Sequence, residues 1–127
     1  MWSGIELLCL PLMTLGGIGF VSAVANLAPA AVAEMYEAWM SDDRERALDL
    51  HYGLHPLVDL MFVETNPAPI KWMLAQAGLI ESAHVRAPLV TPSEGGIAAI
   101  ERLAIQGGAL LHAPLDRVAT AAAGARR

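Results

Sequence analysis

Over most of the chain, apolar positions recur with the period of a helix rather than that of a strand. After Pro29, the residues Val32, Met35, Tyr36, Trp39 and Met40 fall three and four apart, which places them on one helix face. Pro29 suits a first helical position, because the N–H it lacks is one that a helix start leaves unpaired. Ser41-Asp42-Asp43 then interrupts the stripe with cap-forming side chains whose charge favours the start of a following helix. That helix is expected over residues 43–62, bent near Pro56, with Leu50, Leu54, Leu57, Leu60 and Met61 as its apolar stripe. Asn66-Pro67-Ala68-Pro69 opens a third helix that Gly78 stops. Thr91-Pro92-Ser93-Glu94 reads as a capping box with Pro92 at the first helical position, opening a fourth helix that ends at Gly107-Gly108. Residues 113–127 show little apolar period and are expected to be frayed or disordered.

The beginning of the chain behaves differently. No charged residue falls between Glu6 and Glu34, a run long enough to raise the question of a membrane-spanning helix. Pro11, Gly16-Gly17, Gly19, Asn26 and Pro29 interrupt that run, and neither a Lys/Arg cluster nor an aromatic belt marks its ends. No basic segment precedes it, as a signal peptide would need. A strand covered on both faces gives the same unbroken apolar signal. Residues 4–15 are therefore expected to form a short helix stopped by Gly16-Gly17, and residues 18–25 a buried strand. A single strand of this kind needs neighbours for its backbone groups, so the chain reads as part of a larger α/β unit.

Composition sharpens that expectation. The 127 residues are 55% hydrophobic and 17% charged, with a mean hydropathy of +0.45, a greasy balance for a small domain with much surface per residue. Part of the surface is meant to be covered. A net charge of −5 argues against a nucleic-acid partner, which calls for a basic face. The one cysteine, Cys9, rules out an intramolecular disulfide or a Cys-rich zinc site, and its place between Leu8 and Leu10 reads as an inert buried thiol rather than a nucleophile. His51, His55 and Asp59 stand four apart on one helix face, as divalent-metal ligands can. Three successive turns span about 12 Å, so at most two could share an ion, and polar contacts between helices are the alternative. No phosphate loop, dinucleotide fingerprint or Ser-His-Asp arrangement is present.

Three separated motifs carry a resemblance. Ser3-Gly4-Ile5-Glu6 with Leu15-Gly16-Gly17-Ile18-Gly19-Phe20-Val21-Ser22-Ala23-Val24-Ala25-Asn26, then Phe62-Val63-Glu64-Thr65-Asn66-Pro67-Ala68-Pro69-Ile70-Lys71-Trp72, then Arg86-Ala87-Pro88-Leu89 before Thr91-Pro92, are similar to the end of the dihydrodipicolinate synthase and N-acetylneuraminate lyase family. The resemblance runs over residues 2–111, in order and without large gaps. It implies an α/β fold, the C-terminal part of a TIM (β/α)8 barrel with a C-terminal helical appendage. Such a barrel takes about 250 residues, so this chain corresponds to its last part, mostly helical with one clear strand. The implied layout is the end of the barrel in 1–28, with Gly4 just after the seventh strand and residues 18–25 as the eighth. Further helices occupy 29–63, the appendage 64–112 and a tail 113–127.

The family resemblance implies lyase chemistry of the class I aldolase type, on the route to lysine. A lysine amine forms a Schiff base with pyruvate, the enamine attacks aspartate semialdehyde, and a tyrosine relays protons. That lysine must be neutral to attack, which needs a dry site. In the family it lies on the sixth strand, so Lys71, the only lysine here, matches an appendage position and reads as a surface or interface residue. Tyr36 and Tyr52 likewise do not match the relay tyrosine and read as packing residues. No catalytic residue of the family is carried over, and the chain alone is expected to be inactive. The substrate-binding positions that carry over are Gly4, at the pocket, and Val21, whose main-chain carbonyl contacts pyruvate. Ile5-Glu6 replaces the family's Asp-Asp pair. Glu6 keeps an acidic contact to the second substrate, while the charge lost at Ile5 leaves room for a sugar acid or another aldehyde. The implied whole enzyme uses no cofactor, acts on pyruvate and an aldehyde, and is a cytoplasmic homo-oligomer, a tetramer by resemblance, without nucleic-acid or membrane partners. The other reading is a non-catalytic truncated helical remnant.

Overall fold

The computed structural model describes residues 1–112; the expectation for residues 113–127 lies outside them. The chain opens with β1 (Trp2–Ser3), a single 3-10 turn (Glu6–Leu8) and α1 (Cys9–Thr14), and returns in β2 (Gly19–Phe20). The two strands pair in parallel, Trp2 opposite Gly19 and Ser3 opposite Phe20, so the segment is a minimal β-α-β crossover. A helical bundle follows: α2 (Pro29–Met40), α3 (Arg44–Met61), α4 (Ala68–Gln76) and α5 (Glu94–Gln106). Among the described residues no helix is long and apolar enough to cross a membrane.

The sequence signals at the turns act as their chemistry requires. α1 ends where Gly16 takes φ +89°, and the N–H groups of Gly16 and Gly17 reach back to the carbonyls of Met13 and Leu12, closing the last turn as a left-handed glycine allows. Gly17 has no room for a side chain, since a Cβ there would lie 2.8 Å from the Leu12 carbonyl oxygen. Between α2 and α3, Asp42 is left-handed at φ 67°, and Asp43 caps α3 by accepting the Arg46 N–H at 3.1 Å. Across the same corner the Arg46 guanidinium pairs with Glu34 at 2.7 Å, and Arg44 lies 3.9 Å from the centre of the Trp39 ring.

The core is built around α3. Leu50, Leu54, Leu57, Leu60 and Met61 are all buried, as their spacing predicts, with Val58 beside them. Ala31, Ala38 and Ala47 are buried between α2 and α3, where small side chains let the two helices approach. Met35, Met73 and Ile100 close the core from α2, α4 and α5.

Four expectations are corrected. The segment 18–25 is a strand only at Gly19–Phe20, and Val24–Asn26 coils into a 3-10 turn. There the N–H groups of Val24 and Ala25 are taken by the Glu6 carboxylate and the Ser22 hydroxyl, each at 3.0 Å. Side-chain acceptors thus replace a strand ladder. The helix expected over 4–15 is α only from Cys9. Met40 belongs to the apolar stripe by spacing yet is 62% exposed, because α2 ends at that residue. The cap of α5 is Ser93 rather than Thr91: its hydroxyl accepts the Gly96 N–H at 3.1 Å, and Pro92 lies outside the helix.

Candidate functional site

The two strands bring the carried-over residues together. In barrels of parallel strands and helices, chemistry sits at the C-terminal ends of the strands. Gly4 directly follows β1 and Val21 directly follows β2. The Val21 N–H donates to the Ser3 carbonyl at 2.8 Å, so the strand pairing continues one residue to the site's edge. A Cβ at Gly4 would meet no atom within 4 Å, which leaves this stretch of backbone open to approach. Val21 is exposed.

Below this edge the chain is tied down. The Ser3 hydroxyl donates to the Ile5 carbonyl at 2.7 Å and also accepts the Ile5 N–H. Glu6 is only 4% exposed, and its Oε1 accepts the Val24 N–H at 3.0 Å. The carboxylate thus links the loop after β1 to the turn after β2. Cys9 lies in the same floor, fully buried, with its Sγ donating to the Ile5 carbonyl at 3.6 Å. Burial, reinforced by the neighbouring Glu6 charge, pushes this thiol up to about 12. It is the inert thiol the sequence suggested.

The rim of the sheet is apolar and uncovered. Trp2, Leu15, Ile18 and Val21 are all more than 60% exposed, although Trp2 lies across Gly19, where a Cβ would meet its ring at 3.1 Å. A two-stranded parallel sheet with such edges is far from the closed barrel in which strands of this kind are stable.

The other candidates lie elsewhere. Tyr36 packs edge-on against Phe20 with ring centres 6.1 Å apart and donates to the Ile18 carbonyl at 3.4 Å. Tyr52 is exposed. Lys71 is on α4, its ammonium donating to the backbone carbonyl of His84. His51 and His55 stack edge to face, 4.9 Å between ring centres, with Tyr52 against both, and Asp59 is exposed. The contacts of the two imidazoles are thus aromatic rather than the expected polar ones, and His55 Nε2 is buried without a partner. Among the described residues no three such side chains are grouped to hold a metal ion.

Burial first, then the His55 charge, holds the His51 imidazole below its ordinary pKa of 6.5. The unfolded chain therefore binds a proton near pH 6.5 that the native chain resists until lower pH. Stability is expected to be unaffected by His51 above pH 6.5 and to fall as pH drops from there towards the native pKa. Urea midpoints measured across that range check it. The His51→Gln variant should show a shallower acid slope, and an unchanged slope would contradict the assignment.

Sequence reasoning gave no role to Glu64. Its carboxylate, beyond the end of α3, accepts from both the N–H and the hydroxyl of Ser93 and so fixes the start of α5. A Cβ at Gly96 would lie 2.3 Å from its Oε1, so any larger residue there has to push the end of the Glu64 side chain aside. The only signal was its place inside the Phe62–Trp72 motif.

The parallel strands, the crossover helix and the open strand ends form a β-α-β unit continued by a helical bundle, the class of arrangement that the resemblance implies for the closing part of a (β/α)8 barrel. A sequence profile of the dihydrodipicolinate synthetase family matches residues 1–106, and the chain belongs to that family. It is 49% identical over 80 residues to the 4-hydroxy-tetrahydrodipicolinate synthase of Methanopyrus kandleri, covering 63% of this chain and 27% of that one. The dihydrodipicolinate synthase of Thermotoga maritima superposes with a TM-score of 0.79 at 34% identity, over 84% of this chain and 36% of the other. The chloride-inhibited dihydrodipicolinate synthase from Acinetobacter baumannii, complexed with pyruvate, gives 0.76 at 32% identity, over 84% and 36%. The chain spans about a third of the length of the relatives it matches.

Proposed function

We propose that this chain forms the last part of a pyruvate-dependent Schiff-base aldolase, a lyase that joins pyruvate to aspartate semialdehyde as a 4-hydroxy-tetrahydrodipicolinate synthase does in lysine biosynthesis. The observation that carries this reading is the family match over residues 1–106, together with strand ends that put Gly4 and Val21 side by side. In the whole enzyme these two positions line the pyruvate pocket, Gly4 by admitting the ligand to the backbone and Val21 through its main-chain carbonyl. Glu6 supports both from below and supplies an acidic contact to the aldehyde. The nucleophilic lysine and the relay tyrosine come from barrel segments that precede the residues matched here. The whole enzyme is read as a cofactor-free cytoplasmic homotetramer, with 1–28 closing the barrel and 64–112 forming the appendage.

Lys71 does not serve as the nucleophile in this reading. Borohydride reduction in the presence of pyruvate, followed by mass spectrometry, is expected to leave the chain alone unmodified. Co-expression with the preceding barrel segments of a relative is expected to yield a pyruvate adduct on the added segment and aldol activity that requires both parts. A reduced adduct on Lys71 would overturn the assignment, and a correctly assembled but inactive pair would overturn the function.

A further inference from the structure

A second site lies away from the strand ends, where α4 meets the segment that follows it. After α4 the backbone reverses at Gly78, φ +71°, and residues 80–91 run back along the helix. Lys71 pins this segment by donating to the His84 carbonyl, and a turn closes where the Leu89 N–H reaches the Arg86 carbonyl at 3.0 Å. Between helix and segment is an open cleft of about 570 Å³, with Lys71, Arg86, His84 and Ser82 at its polar positions and Val85 and Leu89 among its apolar walls. That volume and mixture suit a small ligand with an apolar body and one charged end.

The charges in the cleft are all of one sign. The described residues include five Lys and Arg side chains. Arg44 and Arg46 are paired with Asp42 and Glu34, whereas Lys71 and Arg86 both line the cleft, and among the described residues no Asp or Glu lines it with them. An ammonium has three donors and a guanidinium five. Lys71 uses one on His84, so both side chains keep donors for an incoming oxyanion. In a chain of net charge −5 this is a local reversal of sign. We propose that the cleft between α4 and residues 82–89 binds a small organic carboxylate, its carboxylate held by Lys71 and Arg86 and its apolar body against Val85 and Leu89.

The test is amide NMR titration of the full chain with benzoate, with benzamide as the neutral isostere and inorganic phosphate as an anion lacking an apolar body. Benzoate is expected to shift the amides of residues 82–89 saturably, benzamide not to, and phosphate to bind more weakly than benzoate. Arg86→Gln, at an exposed position, should weaken benzoate about tenfold, as the loss of a charge-assisted hydrogen bond does. Lys71→Met should do the same, and Lys71→Arg should restore most of the binding. Absence of saturable shifts up to about 10 mM benzoate, equal response to benzamide, phosphate binding at least as tight as benzoate, or unchanged affinity in Arg86→Gln would each overturn the proposal. None of these readouts depends on aldolase activity.

Discussion

Replacing Leu57 by alanine is expected to cost the fold about 3 kcal/mol, within the usual span for a buried leucine whose surroundings cannot collapse. Leu57 is fully buried towards the C-terminal end of α3, and the far end of α5 rests on it. A Cβ added at Gly107 would lie 2.6 Å from Leu57 Cδ2 and 2.7 Å from its Cγ. Gly107 has φ −90°, so alanine there is free of backbone strain and any cost comes from overpacking, about 1–3 kcal/mol. The two substitutions should therefore compensate. In the Leu57→Ala background, Gly107→Ala fills part of the space left by the leucine, and its cost should vanish or reverse sign. Urea unfolding of the four proteins in the cycle measures the coupling. Equal cost of Gly107→Ala in both backgrounds would show that α5 does not rest on Leu57.

That packing is legible in the sequence. The stripe from Leu50 to Met61 keeps helical period over several turns, and each of its residues is buried, because an amphipathic helix can hide its apolar face in only one direction. The Asp43 cap and the Gly16-Gly17 stop were legible for a similar reason, since each is settled within its own few residues. What escaped the sequence depends on atoms distant along the chain. β1 is two residues long and too short for any period. Thr91 and Ser93 are both good caps, and the choice falls to Ser93 because Glu64, outside the local window, takes its N–H and hydroxyl. The apolar run 18–25 looks like a strand by composition, but the Glu6 carboxylate draws Val24 out of one. Gly4 and Val21 were legible only through the family resemblance; no feature of their own marks a glycine or a valine as part of a site.

Removing the Glu6 carboxylate should have the second large effect, and it bears on the site itself. Glu6→Ala leaves the buried Val24 N–H without its acceptor at 3.0 Å, and an unpaired buried donor costs about 2 kcal/mol. Glu6→Gln retains a carbonyl oxygen at the same reach, so its loss should be about half as large or less, set by the amide's need for a partner of its own. The two variants separate hydrogen bonding from charge. Hydrogen exchange supplies the local readout: the Val24 amide should lose protection selectively in Glu6→Ala and keep most of it in Glu6→Gln, while amides in the middle of α3 follow global stability in both. A Val24 amide as protected in Glu6→Ala as in the parent chain would mean that the carboxylate does not hold this turn. If protection is lost, the effect should spread to the Val21 amide, whose bond to the Ser3 carbonyl is the next tie between the strand ends. Gly4 and Val21 would then no longer be held side by side, and Glu6 would be confirmed as the residue that positions them.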